Sequence, residues 1–458
     1  MAEKNIAERL ADFGLGLRFD DLPQEVVHDT KRRVIDTLAC MLGAYDCPPV
    51  KAVRAMAPAM SDGPCAGILG SPGSTTPDFA AFANGVMARY LDFNDTYLSK
   101  EPAHPSDNIP AALACAEVAG ASGAQFIAAV VAAYEVHCAL CDAASLRAKG
   151  WDHVTYGSFS STVAASMLLR LSREEAVNAL GMAGVASPAL RQTRAGELSM
   201  WKGFAFANAA RNAVFTALLA KNGITGPSPV FEGEFGFFKL VSGPFDLPAF
   251  PSGRANRFKI LDTYMKYYPA EYHAQSAIEA AVELSREIDD VSSIDSVSVS
   301  TFSTCYDIIG HGLEKRRPRT RETADHSLAY CVAAALMDGN VTVDTFSGER
   351  LRDGRLLGLI DRVEIVKDPE FDRLYPESMP NSVVVVLKSG DVLSKEVIYP
   401  RGHPKTPLTD VEVEEKFKRL GGPYFGGGGA DGALRSLWAL DEMKEIGALL
   451  SLFKAGRP

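Results

Sequence analysis

The sequence predicts a mainly α protein, a large all-α helical domain plus a smaller α+β domain, and three observations predict it. From residue 1 to about 225, Ala-rich stretches carry apolar residues three and four apart between short Gly, Pro or Ser breaks, with no convincing strand among them. Between 294 and 400 the pattern switches to a period of two. Helical patterning then returns to the C-terminus, so both chain ends belong to one domain: 1–266 completed by 401–458, with the α+β domain at 267–400 between them.

In order, helices are expected at 26–42, 77–91, 110–118, 125–146 and 163–171. Ser172-Arg-Glu-Glu175 is a capping box, in which a hydroxyl and a carboxylate satisfy two orphan N–H groups, and it opens the next helix. A further helix spans 201–221, after which TGPSP at 225–229 begins an irregular Gly-, Phe- and Pro-rich connection to about 257. A helix starting near Pro269 leads to strands at 294–302, 362–368, 381–390 and 391–400. The turn Lys388-Ser-Gly-Asp391 joins the last two strands, and helices near 325–336 and 341–345 separate the first two. Thr409-Asp-Val-Glu412 is a second capping box, and a helix at 430–452 closes the chain. GGPYFGGGGADG at 421–432 lacks the Gly-Lys-Ser/Thr ending of a phosphate loop and reads as a flexible loop.

With 47% apolar and 23% charged residues over 458 positions, the chain has ample material for a core, which excludes wholesale disorder. A formal charge of −10 repels polyanions, so nucleic acid is not an expected partner, while a small anionic substrate stays compatible with a locally cationic pocket. The N-terminus mixes charge with apolar residues and reads as no secretory signal, which places the protein in the cytoplasm. The most apolar stretch, 126–144, is interrupted by Glu135, His137 and Asp142 and reads as a core helix, so no membrane partner is expected. Eight cysteines lie mostly in apolar runs and imply no disulfide framework. Cys138 and Cys141 form a CxxC, but inside a helical run that cannot wrap a cluster, and no metal site is expected.

The densest polar patch of the helical half is LDFNDTYLSKEPAHPSDN at 91–108. Asp92 and Thr96 share one face if the helix continues that far, and the Pro102 and Pro105 bracket presents His104 on a rigid turn. Solvated loop and helix cap is the competing reading. Lys202 sits among Met200, Trp201, Phe204 and Phe206, surroundings that strip water from an ammonium, so it either snorkels to solvent or needs an anion, whether an acid or a substrate carboxylate. Arg191 and Arg194 just upstream are surface charge or the bidentate clamp that a lysine cannot supply. His104, His153, His273 and His403 have loop or helix-start settings that leave an imidazole accessible for proton transfer near neutrality. His326 and Tyr330, four apart, share a helical face.

The segments LDFNDT, HPSDN, GELSMWKG, AKNGITGP, PAEYHAQSAIEAA and YPRGHPKTPLTD, in this order, make the chain similar to the MmgE/PrpD family over nearly its whole length. The resemblance implies a helical domain from both chain ends, an α+β lid domain with a cleft between them, a homodimer, and no metal or organic cofactor. Its site positions fall on Asp92, Thr96, His104, His153, Lys202, His273 and Tyr330. Seven residues separate Thr96 from His104, one more than in the decarboxylase-like pattern and as in the dehydratase form.

The chemistry implied is bond breaking beside a carboxylate of a di- or tricarboxylate substrate, most nearly 2-methylcitrate or citrate dehydration. The same residues suit cis-aconitate decarboxylation or epimerisation of an iminodisuccinate-like dicarboxylate, and a catalytically silent carboxylate-binding homologue is the rival from another class. For dehydration, His104 or His153 would remove the α proton, and the other imidazole or Tyr330 would protonate the departing hydroxyl. Lys202 and His273 would stabilise the enediolate-like charge, Asp92 would orient an imidazole, and Thr96, Arg191 and Arg194 would bind substrate.

Overall fold

The computed structural model describes residues 4–425 and 429–453. Two hydrophobic cores organise it. The first takes its side chains from Ile6 to Met265 and again from Leu408 to Phe453, and the second runs from Tyr264 to Val385 with Leu98 reaching in.

The first core is built by α1 (Ile6–Gly16), α2 (Gln24–Ala44), α3 (Pro48–Ala55), α4 (Pro77–Tyr90), α5 (Ile109–Ala119), α6 (Gly123–Ala143), α7 (Val154–Leu168), α8 (Arg173–Ala186) and α9 (Ala205–Lys221). Helix α6 is long and apolar enough to cross a membrane, but 89% of its most apolar window is buried inside the protein, packed on α7 and α2. Ser172 caps α8 through the expected box with Glu175. Helix α7 starts nine residues before the expected 163 because its hydroxyls do not compete with the helix: they serve it. Ser158, Thr162 and Ser166 return their hydrogen bonds to carbonyls three or four residues back, at 2.7–2.8 Å, and Ser160 and Ser161 both donate to Asn108 Oδ1 at 2.7 Å. A two-stranded hairpin, β1 (Ala66–Gly67) with β2 (Ser74–Thr75), interrupts the helical half where no strand was expected.

The second core packs α10 (Gln275–Ser285) and α11 (Leu328–Asp338) on a four-stranded sheet of β3 (Ile294–Thr301), β4 (Val363–Lys367), β5 (Asn381–Leu387) and β6 (Val392–Val397), ordered β4-β3-β5-β6. Strand β3 runs parallel to β4 and antiparallel to β5, and registers such as Val297↔Val363 and Val299↔Val383 put valines on one buried face. Helix α10 begins six residues after Pro269 because Gln275 folds the preceding turn onto itself, accepting from the Tyr268 N–H and donating to the Tyr268 carbonyl, both at 3.0 Å.

The chain then returns to the first core. Thr409 and Glu412 form the expected capping box of α13 (Asp410–Gly421), which packs on α2. Between α11 and α13, Gly354–Ile360 forms α12, and after α13 Gly429–Trp438 forms α14. The glycine-rich loop expected at 421–432 lies partly outside the described residues, and the helix expected at 430–452 ends at Trp438, followed by 3-10 turns at Leu440–Glu442 and Ile446–Leu452. Those turns exist because the tail docks by its backbone: the Gly123 N–H donates to the Met443 carbonyl and the Ile446 N–H to the Ala121 carbonyl, each at 2.8 Å. A Cβ on Gly123 would lie 1.6 Å from the Leu440 carbonyl oxygen. Gly123→Ala should therefore destabilise the protein by about 2 kcal/mol, the usual scale of forced overpacking, read as a lower urea midpoint; an unchanged midpoint would show that the tail contributes nothing to the core.

Candidate active site

A cavity of ≈ 330 Å³ lies where the two cores meet, walled by the segments at 89–104, 147–153, 191–198 and 266–273 and by 307–326 of the second domain. Six of its lining residues are cationic and four are carboxylates, in a chain whose total charge is −10. The cavity therefore suits an anion although the protein as a whole is acidic.

Its floor is organised by Asp92. Helix α4 stops at Tyr90, and Asp92 turns the chain in a left-handed conformation, φ 49°, which a non-glycine residue adopts only when its surroundings hold it there. Three cations do so: Arg89 donates to Oδ1, Lys266 reaches Oδ1 at 2.7 Å and the Asp92 carbonyl at 2.9 Å, and Lys202 reaches Oδ2 at 3.0 Å. Burial by itself would raise the pKa of Asp92, but the charges of Arg89, Lys202 and Lys266 outweigh it and hold the carboxyl well below its ordinary range. Lys202 also donates to Asp325 at 2.9 Å and meets His326 Nδ1 at 3.1 Å, which ties the second domain to this hub. Asp92, Asp325 and His326 are close enough to ligate a metal ion, yet the cation that this donor set holds is Lys202. Behind the floor, Lys416 of α13 grips the carbonyls of Phe93 and Lys266 at 2.8 and 3.0 Å and pairs with Asp36 at 2.7 Å.

Three imidazoles of the cavity are backed by carboxylates, His326 by Asp325 at 2.6 Å within the hub and two others outside it. His153 Nδ1 lies 3.0 Å from Asp152 Oδ1, whose other oxygen accepts from Arg194 Nε at 3.0 Å, and His273 Nδ1 lies 2.7 Å from Glu271 Oε1. A carboxylate only accepts, so each of these two rings carries its proton on Nδ1, and each Nε2 is buried without a hydrogen-bond partner among the described residues. Burial lowers the pKa of His153 below 6.5, with Asp152 offsetting part of the effect. Glu271, although burial pushes it up, is brought down to about 2 by His273 beside it. His104 differs: its Nδ1 donates to the Asp95 carbonyl at 2.7 Å and its Nε2 accepts from Arg89 at 2.9 Å. Burial, followed by the charges of Arg89 and Lys266, keeps His104 neutral by pushing its pKa well down. The rings of His104 and His153 meet edge to face at 5.7 Å.

Asp92, Thr96, His104, His153, His273, Arg191 and Arg194 all line this cavity. Two expected residues do not. Lys202 lies behind Asp92 as its counter-ion rather than in the wall, since two carboxylates already hold its ammonium. Tyr330 is fully buried in the second core, where its hydroxyl donates to the Thr345 carbonyl at 2.7 Å. The spacing from His326 misleads because α11 begins only at Leu328, so the two residues share no helical face. Roles change as well. The helix does not carry Asp92 and Thr96 on one face; Thr96 is placed instead by paired backbone bonds with Tyr264 at 2.8 and 2.7 Å. Asp92 orients cations, and the imidazoles take their orientation from Asp152, Glu271 and the Asp95 carbonyl. The sequence reading passed over Arg89, Lys266 and Glu271. An acid one or two residues before a histidine recurs in Asp152-His153, Glu271-Tyr-His273 and Asp325-His326, a signal legible in the sequence.

Asp92→Asn leaves three buried cations without their shared anion. It should cost about 3–5 kcal/mol in urea unfolding, the scale of a broken buried pair, whereas a loss under about 1 kcal/mol would place the stabilising charge elsewhere.

The MmgE/PrpD N-terminal domain matches residues 8–249 and the MmgE/PrpD C-terminal domain residues 268–440. The chain is 31% identical over 424 residues to 2-methylcitrate dehydratase of Cupriavidus necator and 30% identical over 432 residues to that of Salmonella typhimurium, covering 87% of this chain and 86% of each relative. It is 26% identical over 476 residues to a cis-aconitate decarboxylase-like protein of Aspergillus oryzae, covering 98% of this chain and 97% of that one. With both domains matched and the cavity lying between them, the chain belongs to the MmgE/PrpD family.

Proposed function

We propose that this hydro-lyase of the MmgE/PrpD family removes water from a 2-methylcitrate-type tricarboxylate to give an unsaturated acid. One observation carries the reading: a cation-rich cavity in which a neutral, carboxylate-backed imidazole keeps its Nε2 lone pair unused. His153 Nε2 takes the proton α to a bound carboxylate, and Asp152 holds the resulting imidazolium. The negative charge spreads onto that carboxylate, beside Arg89 and Lys266, and the C–O bond to the β hydroxyl breaks. Lys266 spends two of its three N–H groups on Asp92, and burial lowers its pKa, so the third N–H is suited to protonating the departing hydroxyl as water. In this reading a substrate carboxylate that draws Arg89 toward itself frees His104 Nε2 as a second proton carrier, while His273, backed by Glu271, faces the developing charge from the second domain.

Decarboxylation of a cis-aconitate-type acid is the second reading, supported by the full-length similarity to the Aspergillus oryzae protein. Incubating the purified protein separately with 2-methylcitrate, cis-aconitate and iminodisuccinate tests the assignment. An unsaturated acid from the first supports it, carbon dioxide from the second replaces it with the alternative, and racemisation of the third points to an epimerase. His153→Ala should lower kcat by about 10²–10⁴ with the fold intact, the span of a lost general base. Because the base acts neutral and burial lowers its pKa from 6.5, the acid limb of kcat/KM should have its midpoint below pH 6.5; an acid limb centred above pH 7 removes His153 from the role.

A further inference from the structure

The six cations of the cavity are unequally matched with counter-charges. Arg89 and Lys266 pair with Asp92, Arg194 pairs with Asp152, and Lys315 donates to the Ile308 carbonyl. Arg147 and Arg191 line the same cavity, both half-buried, and neither guanidinium makes a hydrogen bond or an ion pair with any described residue. Glu101 and Asp152 act on them only at longer range.

The backbone holds the two arginines together. Buried Glu101 accepts from the N–H groups of Leu146 and Arg147 at 2.7 and 2.9 Å and from the Ser145 hydroxyl at 3.0 Å, which fixes the turn that starts at Arg147. That turn, Arg147–Lys149, ends at Gly150 in the left-handed region, φ 84°, and the Gly150 carbonyl accepts the Arg191 N–H at 2.9 Å. Trp151 then bridges to Leu190, and the Asp152 N–H donates to the Ala189 carbonyl at 2.8 Å, so a short two-stranded ribbon sets the segments side by side. Burial, and after it the like charge of Arg147, lowers the pKa of Arg191. Two guanidinium groups that repel each other in a half-buried wall are stabilised by an anion between them, and their planar forks match a carboxylate.

We propose that Arg147 and Arg191 form a separate carboxylate subsite that gives this cavity its preference for a tricarboxylate over a dicarboxylate. The inference rests on the acidic-substrate reading above. The cations around Asp92 serve the carboxylate at the reacting carbon, and the arginine pair holds the additional one.

Calorimetric titration with propane-1,2,3-tricarboxylate and with glutarate, which has the same carbon chain without the central carboxylate, tests it. Wild-type protein should bind the tricarboxylate more tightly. Arg147→Gln and Arg191→Gln should each weaken tricarboxylate binding by about tenfold or more and leave glutarate within about threefold, so that glutarate also reports an intact fold. Arg191→Lys should restore only part of the loss, because an ammonium lacks the bidentate fork. Equal binding of the two acids by the wild type, equal losses for both in the variants, or no loss for either overturns the subsite. Neither acid carries a hydroxyl, so binding is read without turnover; a wild-type protein that binds both yet leaves 2-methylcitrate unchanged overturns the proposed reaction and not the arginine pair.

Discussion

One buried carboxylate sets the terms for the rest of the structure. Asp92 gathers Arg89 from the end of α4, Lys202 from the segment before α9 and Lys266 from the junction of the two cores, and Lys202 brings Asp325 and His326 of the second domain to the same point. Three cations packed this closely would not stay buried without an anion among them. The left-handed backbone at Asp92 is the local strain that this arrangement carries, and it recurs among the described non-glycine residues only at Arg170.

Around that hub the protein uses one device repeatedly: a histidine whose Nδ1 proton is claimed by a fixed acceptor. Asp152, Glu271 and the Asp95 carbonyl each dictate a tautomer, and what differs is the fate of Nε2, open on His153 and His273 and covered by Arg89 on His104. Burial keeps His104 and His153 neutral, the state in which an imidazole can accept a proton. The reactive character of the cavity therefore comes from which ring nitrogen is left uncommitted.

Much of this was legible in the chain and some was not, for identifiable reasons. The alternation at 294–302 and the Lys388–Asp391 turn read directly as β3 and the β5–β6 hairpin, because a half-buried strand writes its own period. The extension of α7 was hidden, because buried serines and threonines look like loop residues until Asn108 and the preceding carbonyls are seen to accept from them. Asp92 and His104 stand out in sequence because they fall in the densest polar patch of the helical half, and His153 because of its loop or helix-start setting. Lys266 does not, since its importance depends on being brought across 174 residues to Asp92, a distance that no local pattern encodes. Tyr330 shows the converse error, a helical spacing read across a helix start that lies between the two residues.

The grip of Lys416 on the carbonyls of Phe93 and Lys266 has a consequence for how the molecule is made. Both loops that carry the reactive wall are steadied by a helix near the far end of the chain, 323 residues after Phe93. During synthesis the helical body can begin to condense as it emerges, but its catalytic half-shell stays unsupported until α13 has left the ribosome and docked on α2. Competence thus waits on the synthesis of α13, and a chain interrupted before it would carry the polar groups of the cavity without the brace that sets them.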